Sequence, residues 1–223
     1  MLPGASRRFA MDLFLPSLVG FCQIGDSVIF LDARADRYWM LPVAMSEALV
    51  SRSKGIEPAE DEAALLVELV HMGLLEESAG AHLAPCVVPK ALTSRLDTHP
   101  RSRASSTIVA GLCVAAASYR LRMHGLYGEL MRLQSLRERR SDRHLRIDRH
   151  AQAFARLRLL VSPIGRCLPL SLALARRCAS EDAQLVFGVQ LNPFAAQAWV
   201  QRDTEVLNDE IHVVQAFTPV LAI

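Results

Sequence analysis

The sequence predicts an α+β protein in which a small unit of strands followed by helices precedes a larger unit of helices followed by an antiparallel sheet. Three observations carry this. Residues 20–42 alternate short β-favouring runs with turn residues, residues 106–160 are dominated by helical spacing, and residues 184–209 return to strands. A chain of 223 residues, 51% hydrophobic and 22% charged, is long and apolar enough to bury a real core as one large or two small domains.

In GFCQIGDSVIFLDARADRYWMLP (residues 20–42) the turn material at Gly25-Asp26 and at residues 33–36 divides the run into a three-stranded meander. Residues 43–53 and 58–72 then carry helical spacing. The second of these sets Leu65, Leu66, Leu69 and Val70 on one face, opens with Pro58 and acidic residues, and closes at Gly73. Three strands with two or three helices give a domain over residues 1–80. Pro85, Pro89, Pro100 and several Ser and Thr make 81–105 an extended linker. The second domain, 106–223, begins with a helix to about residue 136. An arginine-rich run at 136–149 follows, either a solvated face or an anionic docking surface. The helix resumes at 156–160 and breaks at Pro163-Ile164-Gly165. A helix at 166–179, a strand at 184–190 and strands around Trp199 and Val206 complete the chain.

Several function classes are disfavoured at this level. A net charge of +2 and a pI near 8.4 are too mild for a nucleic-acid surface. The first unit has the outline of a winged-helix regulator. In residues 43–72, however, Arg52, Lys54 and His71 are outnumbered by Glu47, Glu57, Glu60, Asp61, Glu62 and Glu68, so a basic recognition helix is missing. Cys22, Cys86, Cys113, Cys167 and Cys178 are scattered without a CxxC pair, which suggests neither a disulfide framework nor a zinc site and fits a reducing cytoplasm. No metal or cofactor is expected. Arg7 and Arg8 precede an apolar run that Asp12 and Pro16 interrupt, so the N-terminus reads as mature protein. Residues 108–117 are apolar over roughly half the length a membrane span needs, and read as a buried helix; no membrane association is expected.

The chemistry gathers at two places. Cys167 opens the apolar run CLPLSLALA directly after Gly165-Arg166, which puts a thiol at a helix N-terminus. There the dipole and free N–H groups favour a thiolate and can receive an oxyanion. The alternative is a buried structural cysteine, as Cys178 on the last turn of that helix exemplifies. FAAQAWVQRDTEVLND (residues 194–209) reads as a hairpin. A turn of Arg202, Asp203 and Thr204 would set Val200 opposite Val206, Trp199 opposite Leu207 and Gln197 opposite Asp209, with facing side chains about 5 Å apart. A thiol nucleophile needs a base and the base an orienting carboxylate, so a histidine at position 197 would complete a set with Cys167 and Asp209; the residue is glutamine. His212 is three residues beyond Asp209 and points to the other face of an unbroken strand. His124, His144 and His150 lie in the helical segment.

RCLPLSLALA, FAAQAWVQ and VLND, in that order, resemble the C-terminal half of the lasso-peptide biosynthesis B proteins. LDARADRYWMLP resembles the PqqD-like precursor-recognition element often fused to them. The resemblance implies a winged-helix-like (PqqD-like) domain followed by a transglutaminase-like, papain-type domain. It implies a cysteine leader peptidase of ribosomal peptide (RiPP) maturation and antibiotic biosynthesis. By it Cys167 is the nucleophile, Asp209 the orienting acid, and Gln197 stands where the family has its histidine. The leader would add as a strand along Arg37, Tyr38, Trp39, Met40 and Leu41, with one of Tyr38 and Trp39 in the core and the other toward the peptide, although either is equally a packing residue. The implied partners are the precursor's leader and an asparagine-synthetase-like lasso cyclase. Because a glutamine amide accepts no proton near neutral pH, the alternative is a leader-binding scaffold that presents the precursor to the cyclase without cleaving it.

Overall fold

The computed structural model describes residues 12–78, 80–97, 103–138, 147–160, 165–179 and 183–223. Arg7, Arg8, Pro100, His144, most of the arginine-rich run and Pro163-Ile164 lie outside the described residues.

The meander expected over residues 20–42 is present. After a short strand β1 (Phe14–Leu15), β2 (Val19–Ile24), β3 (Ser27–Asp32) and β4 (Arg37–Met40) form an antiparallel sheet in the order β2-β3-β4. Gly25, at a φ of 60°, makes the first turn. In the second, the Asp32 carboxylate accepts from the backbone N–H of Arg34 at 2.9 Å and of Ala35 at 3.3 Å, so the side chain closes the turn in place of a ladder bond. The helices α1 (Val43–Ser53) and α2 (Glu60–His71) follow. In the first turn of α2, Glu62 reaches back to accept from the Ala59 N–H at 2.9 Å.

Both faces of this small sheet are covered. Val19, Phe21, Val28 and Phe30 pack with Met45, Leu49, Leu66 and Leu69 of the two helices, and the Phe21 and Phe30 rings lie 5.3 Å apart. Cys22, Ile29 and Leu31 point the other way, into a cluster shared with the C-terminal part of the chain. The unbroken apolar run Val28 to Leu31 is the sequence signature of a strand buried on both sides. At Gly20 the two halves approach closely: a Cβ there would stand 2.3 Å from the Val220 carbonyl oxygen, so the backbones meet where a side chain has no room.

Residues 80–97 cross between the two halves. They contribute β5 (Ala81–His82), antiparallel to β1, and β6 (Thr93–Ser94). The long helix α3 (Ala104–Glu138) bends at Gly125, whose φ of 66° and ψ of 179° break it into two arms. Buried Glu129 on the second arm pairs with Arg120 at 3.1 Å, Arg132 at 3.2 Å and Arg176 at 3.6 Å, fixing both arms to the helix that carries Arg176. That helix is α5 (Cys167–Arg177), which follows α4 (Ile147–Leu160). Beyond it come β7 (Gln184–Gln190), β8 (Ala195–Arg202), β9 (Glu205–Val206), the short α6 (Ile211–Val214) and β10 (Thr218–Ala222). The sheet order is β10-β7-β8-β9-β6, antiparallel except for the β6–β9 pair.

Two sequence expectations need correction. Residues 108–117 are not a buried helix: Ala110 and Ala117 are buried, but Ile108 and Leu112 are each 65% exposed. A helix packed on one face shows the same composition as one packed all round, and periodicity alone did not separate them. By length and composition α3 is also apolar enough to cross a membrane. The hairpin register is shifted by one: Gln201 faces Val206 and Arg202 faces Glu205. Asp203 takes a left-handed φ of 49°, which closes a two-residue turn in place of a three-residue one.

Candidate functional site

Cys167 is the first residue of α5, as expected, and is partly exposed. One turn on, Ser171 is buried and donates to the Ala198 carbonyl of β8 at 2.7 Å while accepting from Asn208 Nδ2 at 2.8 Å. Residues four apart share a helix face, so this contact turns the face bearing Cys167 toward β8 at the level of Gln197 and Ala198. Asn208 Oδ1 in turn accepts from the Val200 N–H at 2.7 Å, standing in for the ladder bond lost where β9 ends.

Gln197 and Asp209 do meet, although not as facing residues of a regular hairpin. The chain leaves the sheet after Val206, and the Asp209 carbonyl is held by the Ser94 hydroxyl of β6 at 2.6 Å. The side chain of Asp209 thereby turns inward and is buried. Its Oδ2 accepts from the Gln197 amide; its Oδ1 accepts from Arg158 Nη2 at 2.6 Å and from the Glu210 N–H at 2.9 Å. Arg158, on α4, is only 10% exposed along its side chain, so the pair is an interior one. Gln197 thus supplies the N–H that an imidazole would supply, without a basic lone pair behind it.

Neither His212 nor His124 joins this group. His212 sits on α6, because the strand stops short of it, and pairs with Glu210 at 3.3 Å with 75% of its side chain exposed. His124 is exposed on α3, and His150 lies two turns before Arg158 on α4.

The β4 residues divide between two surroundings. Leu41 and Trp39 pack into the core of the first unit, and the Arg37 guanidinium lies 5.2 Å above the Trp39 ring. Met40 is 66% exposed. Tyr38 points the other way, against the C-terminal core, with its ring edge-on to Phe194 at 5.6 Å. Burial pushes the Tyr38 hydroxyl up to about 12, and the proximity of Cys167 and Asp36 acts in the same direction. Tyr38 of β4 and Cys167 are therefore near one another. Among the described residues β4 pairs with β3 alone, so its other edge carries free N–H and C=O groups.

Arg158, Ser171, Asn208 and Phe194 were not singled out from the sequence. A signal for the first existed: an aspartate buried beside a neutral residue requires a cation, and α4 offers Arg156 and Arg158.

Among known proteins, neither the curated proteins nor the solved structures provide a match. The family model described as the transglutaminase-like superfamily matches residues 108–222, just over half of the chain, from the first arm of α3 to β10. It spans the segments that bear Cys167, Gln197 and Asp209 and ends short of the β2-β3-β4 unit. That superfamily includes cysteine peptidases, and a thiol at a helix start packed on an antiparallel sheet fits a cysteine-protease-like fold. The protein is a mixed α/β chain whose C-terminal part is a transglutaminase-like domain, and it belongs to the transglutaminase-like superfamily.

Proposed function

We propose that this protein acts in lasso-peptide (RiPP) maturation as a slow leader peptidase. The β2-β3-β4 unit serves as a PqqD-like recognition element and binds the leader of a ribosomal precursor as a strand added to β4. Cys167 opens the leader–core bond, and the core passes to an asparagine-synthetase-like cyclase in the cytoplasm. The observation that supports this reading is the contact between Tyr38 and Phe194, which packs β4 against the C-terminal domain while its other edge stays unpaired among the described residues. Main-chain bonds along that edge would supply affinity, and Arg37, Trp39 and Met40 the side-chain selection.

In this reaction the Cys167 sulfur attacks the scissile carbonyl carbon, the C–N bond breaks, the amine departs with a proton, and water hydrolyses the thioester. The N–H groups at the start of α5 face the developing oxyanion. Proton transfer is the weak step, because the Gln197 amide neither takes nor gives a proton near neutral pH.

A second reading, a leader-binding scaffold that presents the precursor to the cyclase, is favoured by the saturation of Asp209 with Arg158 and Gln197. Mass spectrometry of the cognate precursor incubated with the protein separates the two. Slow leader release that disappears in Cys167→Ala supports the peptidase; tight binding with no release supports the scaffold. Backbone N-methylation of the leader should abolish binding in both cases, and undiminished binding would rule out strand addition.

A further inference from the structure

A cleft of about 690 Å³ opens between the first arm of α3 and the start of α5. Val114, Leu121, Leu157 and Leu168 form its apolar wall, and Arg122 and Arg166 stand in the same lining. Arg166 and Leu168 are the residues on either side of Cys167, so the hollow begins at the nucleophile position. Tyr38 and Phe194, where the strand docked on β4 would arrive, are not among its lining residues.

The charge here is one-sided. Arg122 and Arg166 are exposed. Among the described residues neither has an ion-pair partner, whereas Arg120 and Arg132 nearby are committed to Glu129. Residues 104–128 contain no Asp or Glu. An apolar wall gains from every carbon it removes from water, and a planar guanidinium pairs with a carboxylate through two parallel hydrogen bonds. A hollow combining the two beside a thiol is complementary to an apolar side chain close to an acidic one.

We infer that this cleft is a substrate subsite of the Cys167 centre, taking the core side of the scissile bond and selecting a segment in which an apolar residue lies next to an acidic one. The inference rests on the peptide-processing reading above: the leader side enters past Tyr38 and Phe194, which leaves this hollow for the chain beyond the bond.

Chloroacetyl peptides test it without requiring turnover. Their electrophilic carbon takes the place of the scissile carbonyl; the Cys167 sulfur forms the new S–C bond, chloride leaves, and the thiol proton goes to buffer. Labelling of Cys167 in the full chain would be followed by peptide mapping with chloroacetyl-Leu-Glu-amide and its Gln and Lys counterparts, with chloroacetamide itself reporting the thiol alone. The Glu peptide is expected to react about fivefold faster than the Gln peptide, and the Lys peptide slowest, for two partly solvated guanidinium partners. Arg122→Gln and Arg166→Gln should each reduce that preference toward unity once every peptide rate is divided by the same variant's chloroacetamide rate, which removes any change in the thiol itself, and the double variant Arg122→Glu/Arg166→Glu should favour the Lys peptide. Equal rates for the three peptides on the unmodified protein, or an acid preference that survives both substitutions, would overturn the inference. Failure of the leader reading would look different: no leader binding, with the acid preference intact.

Discussion

The two ends of α5 carry the same side chain in opposite chemical situations. Cys167 at the N-terminus is partly exposed, faces β8 and borders a cleft. Cys178, the residue that caps the C-terminus, is 2% exposed, and burial pushes its thiol up to about 12. The helix dipole favours a thiolate at the first position and opposes one at the second. A cysteine's identity therefore says little about function until its place on the helix is known.

The largest expected difference between the two ends is in alkylation. At pH 8 a thiol titrating near 12 is ionised to roughly one part in ten thousand, and burial restricts access further. Iodoacetamide on the folded protein should label Cys167 to completion while Cys178 stays free, as read by peptide mapping. Comparable labelling of both would break the comparison.

The next effect concerns the charge behind Cys167. Removing Arg158 leaves the Asp209 carboxylate buried without a cation, a loss expected to cost about 3–5 kcal/mol in urea unfolding. Arg158→Met with Asp209→Asn should recover most of it, because neither partner then holds a buried charge. A single Arg158→Met variant as stable as the parent would show that the pair is not an interior one.

Ser171→Ala is smaller, about 1–3 kcal/mol, since the Ala198 carbonyl and Asn208 Nδ2 both lose a buried partner. In the same variant the α5 face bearing Cys167 loses its tie to β8, so Cys167 labelling by peptides should weaken relative to labelling by chloroacetamide.

An effect of similar size to that of Ser171→Ala is alkaline. Cys22 and Cys178 both titrate near 12 when folded and near 9 when unfolded, so the folded state holds their protons more tightly. Their contribution to stability is full below pH 9 and is lost as pH rises toward 12. Urea midpoints at pH 8, 9 and 10 should fall, and Cys178→Ala should flatten the decline.

Much of this architecture was legible in the sequence where the signal is local. The strand at Gln184–Gln190, the helix at Val43–Ser53 and the thiol opening α5 all follow from short-range pattern and capping. Long-range features were not legible. The pairing of Arg158 with Asp209 joins residues 51 apart in the chain, and Tyr38 meets Phe194 across more than half of it. The strands β6 and β9 are two residues each, too short for any period to register, yet β6 is what holds the Asp209 backbone. The hairpin register turned on one left-handed residue, Asp203, and a slip of one exchanges the faces of every side chain. Gln197 and Asp209 still met because Asn208 takes over where the ladder ends.

The central claim is that the nucleophile and carboxylate seats are present and the base seat holds an amide. The rate of leader release from the cognate precursor, compared between the unmodified protein and Gln197→His, tests it most directly. General acid–base catalysis is worth about 10²–10⁴-fold, so the histidine variant should release leader faster by a factor in that range and should lose the gain when Cys167→Ala is added. An unchanged or slower rate in Gln197→His, with the fold intact, would contradict the account.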